Sequence, residues 1–287
     1  MATISAPRSS VRFRAWGHWW RFTPLLVLLL LAVFGPLLVP YDPTRVVGPP
    51  SVPPGAEFWF GTDSQGMDVF SRTVAAFRLN LTIALLVTTL ATVVGIASGV
   101  LIGLHESRPG PIGALARAGG RVLDLIDAVP AVVVGLVVVA LFGASGAALV
   151  GALAFILLPN QARLTRTETL RVRHEAYVEA ATVSGLSNRK TTLLHVVPNS
   201  ALPALENSSL VFGVAIIVCA ALGFLGVGLP PPTPEWGAMI SNGASDLGLR
   251  RWWAVTFPTL ALIAAVASVA GAGRGLLTAL RPPAARR

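Results

Sequence analysis

The sequence predicts an all-α integral membrane protein with six transmembrane helices, and three observations carry that prediction. Only 12% of the 287 residues are charged while 54% are hydrophobic, against about 25% charged in an ordinary soluble domain. The charges are clustered, and the apolar stretches between clusters are long enough for helices that cross a bilayer, which takes about 20 residues. The basic residues alternate from side to side of those stretches, as the positive-inside rule requires.

The elements follow in order. Arg8, Arg12, Arg14 and Arg21, with Trp16, Trp19 and Trp20 as interfacial anchors, make residues 1–21 a cytoplasmic N-terminal segment. Residues 22–39 form the first span. The chain then reads Val39-Pro40-Tyr41-Asp42-Pro43, without a small-x-small cleavage site, so this is an uncleaved first span or signal anchor. An extracytoplasmic loop rich in proline and glycine covers 40–78, and the uncharged stretch 79–104 is the second span. Between Ala128 and Gln161 there is no charge. Extended to Arg121 and Arg163, the stretch holds two helices, turned at Gly143-Ala144-Ser145-Gly146. A polar inner loop over 161–201 leads to span five at 202–227, with Glu206 in its first turn, and span six lies at 252–277, with Pro258 as a kink near one end. Residues 282–287 are a cytoplasmic tail.

With the N-terminus inside, the inner segments hold 17 lysines and arginines and the outer segments 5, so both termini are cytoplasmic. The same placement accounts for the net charge of +9. A nucleic-acid surface would expose a basic face to water, whereas these arginines stand just outside apolar runs, so no nucleic acid is expected as a partner. The single cysteine, Cys219, permits no intramolecular disulfide and reads as a small packing residue. His18, His105, His174 and His195 lack metal-ligand spacing. Asp124 and Asp127, one turn from Arg121 at the inner end of span three, read as local charge balance.

The inner loop carries the pattern that asks for a function. Residues 163–184 contain neither proline nor glycine and read as helix, ending at Gly185, which suits a left-handed terminator. Ala176, Ala180 and Ala181 leave one side nearly bare, so that a partner can approach closely. A second short helical stretch covers 187–196, and Pro198 and Pro203 bracket the start of span five. The expected object is a bent helical element lying along the membrane surface.

Glu179-Ala180-Ala181, three residues, Gly185, nine residues, then His195-Val196-Val197-Pro198 resembles the EAA loop of ABC-importer permeases, which forms the coupling helices seated in a cleft of the ATPase subunit. That resemblance implies an ATPase-coupling role for Glu175, Tyr177, Glu179, Ala180, Ala181, Gly185, His195 and Pro198. Histidine at 195, in place of a branched residue, is similar to the peptide and nickel branch. The segment Gly61-Thr62-Asp63-Ser64-Gln65-Gly66-Met67-Asp68-Val69-Phe70-Ser71-Arg72 resembles the GTD-x-x-GRD-x-x-SR segment of dipeptide, oligopeptide and nickel permeases, with Met67 where arginine is usual. Gly61, Thr62, Asp63, Gly66, Asp68 and Arg72 are its site residues. Gly226, Gly228, Pro231, Pro234, Trp236 and Gly237 resemble the FLGLG-x-x-PP-x-P-x-WG gate motif beyond span five. Near the C-terminus, Gly273-Arg274-Gly275-Leu276 lacks the acids of the related GDGLRDALDP.

The resemblance implies a type I ABC importer permease: a five-helix core over 79–281 plus the N-terminal helix, in the bacterial cytoplasmic membrane. It implies import of peptides or a similar small solute by alternating access. The partners would be a homologous second permease, two ABC ATPase subunits, an extracytoplasmic solute-binding protein and membrane lipid. No cofactor is expected on this chain, ATP and magnesium belonging to the ATPase subunits. The stretch from Gly185 to Thr191 superficially resembles a phosphate loop, but Arg189 stands where the loop needs glycine. No paired carboxylates, nucleophile–base set or metal cluster suggests catalysis. A secondary transporter or channel would show broken spans or ionisable residues at mid-membrane; spans two, four and five carry no central charge, which argues against it, and a membrane-anchored scaffold fits six spans with a docking loop less well.

Overall fold

The computed structural model describes residues 22–280, with side chains to residue 275. The tryptophans and arginines of 1–21, and the tail from Arg281 on, lie outside the described residues. Regular structure among the described residues is helical, apart from one isolated bridge between Thr62 and Asp68. In order the helices are α1 (Thr23–Leu38), α2 (Val69–His105), α3 (Pro111–Asp127), α4 (Ala131–Phe142), α5 (Gly146–Val172), α6 (Ala176–Val183), α7 (Asn188–Thr191), a π-helical turn (Thr192–Val196), α8 (Val197–Phe224), α9 (Trp236–Ala244), a 3₁₀ turn (Leu247–Leu249) and α10 (Trp253–Leu280).

Four of these are long and apolar enough to cross a membrane: α2, α5, the run Asn188–Phe224 that contains α8, and α10. Helices α3 and α4 supply a fifth only as a pair, bent by 96°. Helix α1 is apolar throughout, but its 16 residues reach about 24 Å, short of a hydrocarbon core of about 30 Å.

Helix α2 runs along α5 at very close range. A Cβ built on Gly95, Gly99 or Gly103 would stand 2.6, 2.7 or 2.8 Å from the Cβ atoms of Gln161, Thr165 and Thr169 respectively. Glycine at every fourth position thus clears one face of α2 for the opposing backbone, the small-residue packing typical of helices in lipid. Gln161, fully buried, then staples three helices: its Nε2 donates to Thr92 Oγ1 at 2.8 Å and to Ala204 O at 3.1 Å, and its Oε1 accepts from Asn207 Nδ2 at 3.1 Å. Leu81, Val87, Leu153, Ile216 and Leu222 fill the core around them, and Cys219 packs there at 1% exposure, the packing role expected for it.

Several sequence expectations need correction. The helix that carries span two starts at Val69 rather than 79, because Asp68 caps it: Oδ2 accepts from Ser71 N at 2.7 Å. Span three is not one straight helix. Pro130 has no N–H to continue α3 and pushes the residue before it out of helical geometry, so the chain turns sharply between Asp127 and Ala131. The second half of the inner loop is not a separate helix, since α7, the π turn and α8 run on as one rod from Asn188 to Phe224. Pro198 lacks the N–H that α-helical pairing with Leu194 would use, and the wider turn just ahead of it, with Val197 N–H bonded to Thr192 O, absorbs the mismatch. Glu206 accordingly sits inside α8, not in its first turn. Asp124 and Asp127 are balanced across helices by Arg163, at 3.2 and 2.9 Å, instead of along the helix by Arg121.

Candidate functional site

At one end of the bundle the chain between α5 and α8 forms an elbow. Helix α5 stops at Val172, and Glu175 adopts extended geometry ahead of α6. After eight residues α6 ends in a Schellman cap: Gly185 N–H donates to Thr182 O at 3.1 Å and Leu186 N–H to Ala181 O at 3.2 Å. Gly185 has φ +88, the left-handed conformation that glycine adopts without strain. The sequence-predicted terminator is therefore in place.

One side chain anchors the elbow. Val178 is buried against Val172 and Val196, with Leu104 beside them, so α6 rests on the ends of α2, α5 and the π turn together. The other faces of α6 are open: Ala176, Tyr177, Glu179 and Ala180 are exposed and Ala181 is half-buried. Tyr177 packs edge-on toward His195, ring centroids 6.3 Å apart, and Asn199 Nδ2 donates to the His195 carbonyl at 2.6 Å. Pro198 is exposed on the first turn of α8. Sequence reasoning missed the apolar tip. Val183, Leu193 and Leu194 are 83%, 67% and 62% exposed, and each was readable as an apolar residue in an otherwise polar loop.

The elbow is mounted on a polar frame. Glu106, at the end of α2, pairs with Arg166 at 2.6 Å, and its carbonyl accepts from Arg117 of α3 at 2.7 Å. Arg173 donates to Gly103 O at 3.1 Å and Ser107 Oγ at 2.8 Å. Arg171 bridges Glu168 and Glu175.

The two remaining motifs meet at the opposite end. In the segment before α2, Gly61 and Gly66 have positive φ, and Asp63 Oδ1 accepts from Gln65 N and Met67 N, both at 2.9 Å. Thr62 Oγ1 donates to Pro49 O at 2.7 Å and accepts from Val52 N, while Thr62 O accepts from Trp253 Nε1 at 3.0 Å. Arg72 is the join. Buried at 4% exposure, its Nη1 donates to Pro43 O at 3.0 Å and to Pro232 O at 3.2 Å, and it lies against Met67 Sδ. Asp63, 3.7 Å from Nε, is its nearest carboxylate.

In the motif beyond α8, Gly226 has φ +78 and Gly228 packs on Gly223, followed by the cis Pro231–Pro232 bond, Pro234, and α9. Trp236 is fully buried, donating to Thr73 O at 3.1 Å and meeting Phe77 edge-on. A Cβ on Gly237 would collide with Ala220 of α8. Glu235, which sequence reasoning did not single out, is fully buried and caps α9 through Gly237 N at 2.7 Å and Ala238 N at 2.8 Å. Burial pushes its carboxyl up to about 7 against those two bonds.

Comparison with known proteins agrees with this geometry. Residues 95–282 match the family model described as the binding-protein-dependent transport system inner membrane component. The di/tripeptide transport system permease protein DppC of Pseudomonas aeruginosa is 35% identical, over 90% of this chain and 85% of its own length. The dipeptide transport system permease protein DppC of Escherichia coli K12 is 34% identical, over 97% and 96%. The glutathione transport system permease protein GsiD of Pectobacterium atrosepticum is 32% identical, over 98% and 96%. Among solved structures, the inward-facing MetNI methionine ABC transporter aligns with TM-score 0.58 at 18% identity, over 74% of this chain and 97% of that one. An amino acid ABC transporter aligns with TM-score 0.50 at 17% identity, over 72% and 92%. The fold is that of a type I ABC importer permease. With its helical elbow at one end and two interlocked motifs at the other, the chain belongs to the binding-protein-dependent transport system inner membrane component family, the permease subunits of ABC importers.

Proposed function

We propose that this chain is one of the two permeases of an ATP-driven importer for short peptides, and that the α6–α7 elbow is where ATPase motion enters the membrane. The observation that carries the reading is the elbow itself: an alanine face and Val183 exposed on α6, Leu193 and Leu194 exposed on the π turn, and α6 locked through Val178 to α2, α5 and that turn. A force applied to α6 passes directly to α2, α5 and α8. The distribution of basic residues supports a cytoplasmic elbow and cytoplasmic termini. A separate ATPase subunit would dock on each permease elbow, and closure of the ATPase pair on ATP would open the pathway outward. An extracytoplasmic binding protein would deliver solute to the opposite end, where Arg72 and Trp236 tie the outer loops to α2. Peptides are the favoured cargo because the similar DppC proteins are named for dipeptides and di/tripeptides.

The test is a reconstituted complex of both permeases, the ATPases and the binding protein. Val183→Asp with Leu193→Asp is expected to lose co-purifying ATPase subunits while the two permeases still pair. Normal ATPase retention and normal peptide uptake by that variant would refute the reading.

A further inference from the structure

Under the break between α3 and α4 lies a cavity of about 410 Å³, walled by Pro130 and Val134 on one side and by α5 and α8 on the other. Its volume falls in the range of small-molecule pockets, about 300–1,000 Å³. Leu157, Leu210 and Val214 give it an apolar wall. One edge is polar. Asn207 Nδ2 donates to Asn160 Oδ1 at 3.0 Å and to Gln161 Oε1 at 3.1 Å, which uses both donors of Asn207 and the acceptor of Asn160. Asn207 Oδ1 and Asn160 Nδ2 make no hydrogen bond among the described residues, so the cavity edge offers a spare acceptor and a spare donor.

The polar edge lies toward the inner end of the helices: counted from the outer ends of α5 and α8, Asn160 is about 21 Å and Asn207 about 26 Å along them, level with the Asp127–Arg163 ion pair, whose Asp127 also lines the cavity. An acyl chain would fill the apolar wall and leave both amides unpaired. One residue of an extended peptide has the complementary set, an N–H and a C=O on the same edge of the chain. We propose that this cavity is a transit subsite for the backbone of the transported peptide. Asn207 Oδ1 accepts a peptide N–H, Asn160 Nδ2 donates to the adjoining carbonyl, and the apolar wall takes side chains without selecting among them. The assignment rests on the peptide-import reading, and it adds an intramembrane contact made by this chain alone.

The experiment uses the full reconstituted complex in proteoliposomes, with tritiated dialanine for uptake and Ala–photoleucine, a diazirine dipeptide, for labelling. Three variants are compared with wild type. Asn160→Leu removes the donor from an exposed residue, Asn207→Leu removes the acceptor together with the staple to Gln161, and Val214→Phe fills the cavity. Each is expected to lower uptake at least about tenfold, the cost of one or two unmade hydrogen bonds, while ATP hydrolysis stimulated by the binding protein persists. The diazirine is expected to label α8 near Leu210, in competition with dialanine. Asn160→Leu and Val214→Phe both transporting at the wild-type rate, with no competed label on α8, would overturn the subsite while leaving peptide import intact. A wild-type complex that moves no dipeptide would overturn the functional reading first, and the subsite with it. Label competed by added lipid but not by dialanine would assign the cavity to an acyl chain and overturn the proposal.

Discussion

Gly185→Val isolates the elbow from the rest of the fold. Gly185 closes the cap of α6 at φ +88, and a Cβ built there meets nothing within 4 Å. The penalty is therefore backbone strain, not collision. Left-handed geometry costs a residue with a Cβ about 1–2 kcal/mol, and a β-branched side chain is the worst placed to adopt it. At about 1.4 kcal/mol per factor of ten, the population of correctly capped elbow falls by roughly five- to thirtyfold. The long helices do not depend on that cap, since the core of Leu153, Ile216 and Leu222 lies elsewhere. Asparagine visits this conformation more readily than other non-glycine residues, so the series Gly, Asn, Ala, Val should lose ATPase association in that order while insertion and permease pairing stay constant. Ala181→Trp should reach the same loss through bulk on a half-buried alanine. The assay is co-purification of ATPase subunits with coupled uptake in vesicles. Equal ATPase binding across the whole series would refute the claim that the capped geometry of α6 sets docking.

Three further outcomes are expected. Cysteines at Glu57 and Ser187, both exposed, should label from opposite sides of the membrane, Glu57→Cys from outside; same-side labelling would break the topology. Arg72→Met removes donors to Pro43 O and Pro232 O, and charged hydrogen bonds of this kind contribute about 1.5–3 kcal/mol. The variant should melt several degrees lower in detergent, and an unchanged Tm would show that the outer join is dispensable. Burial raises the Glu235 carboxyl from 4.5 to about 7, so its contribution to stability is fully present below the unfolded value and is lost as pH rises through the folded one. Wild-type Tm should fall relative to Glu235→Gln between pH 4.5 and 8, and parallel pH profiles would contradict a buried carboxyl with a raised pKa.

Local chemistry made much of this protein legible in advance. Long uncharged runs can fold in lipid only by satisfying every backbone group internally, so composition alone dictated helices. The left-handed Gly185 was readable because a cap depends on a few adjacent residues, whereas the helix read over 163–184 is broken at 173–175 into the end of α5 and α6. The packing role of Cys219 followed from its apolar neighbours. The family was legible too, because its motifs are short and ordered along the chain.

What sequence could not supply was partnership between distant residues. Arg72 and Pro232 are 160 positions apart, and their hydrogen bond exists only because α2 and the loop after α8 reach the same end of the bundle. Arg163 selects Asp124 and Asp127 rather than leaving them to Arg121, since the turn at Pro130 swings α3 across α5. Glu206 reads as a helix start until the continuous rod from Asn188 places it inside α8. Periodicity and propensity describe one helix at a time. The elbow, the outer join and the amide pair of Asn160 and Asn207 are properties of helices packed together, so the tertiary structure alone decided them.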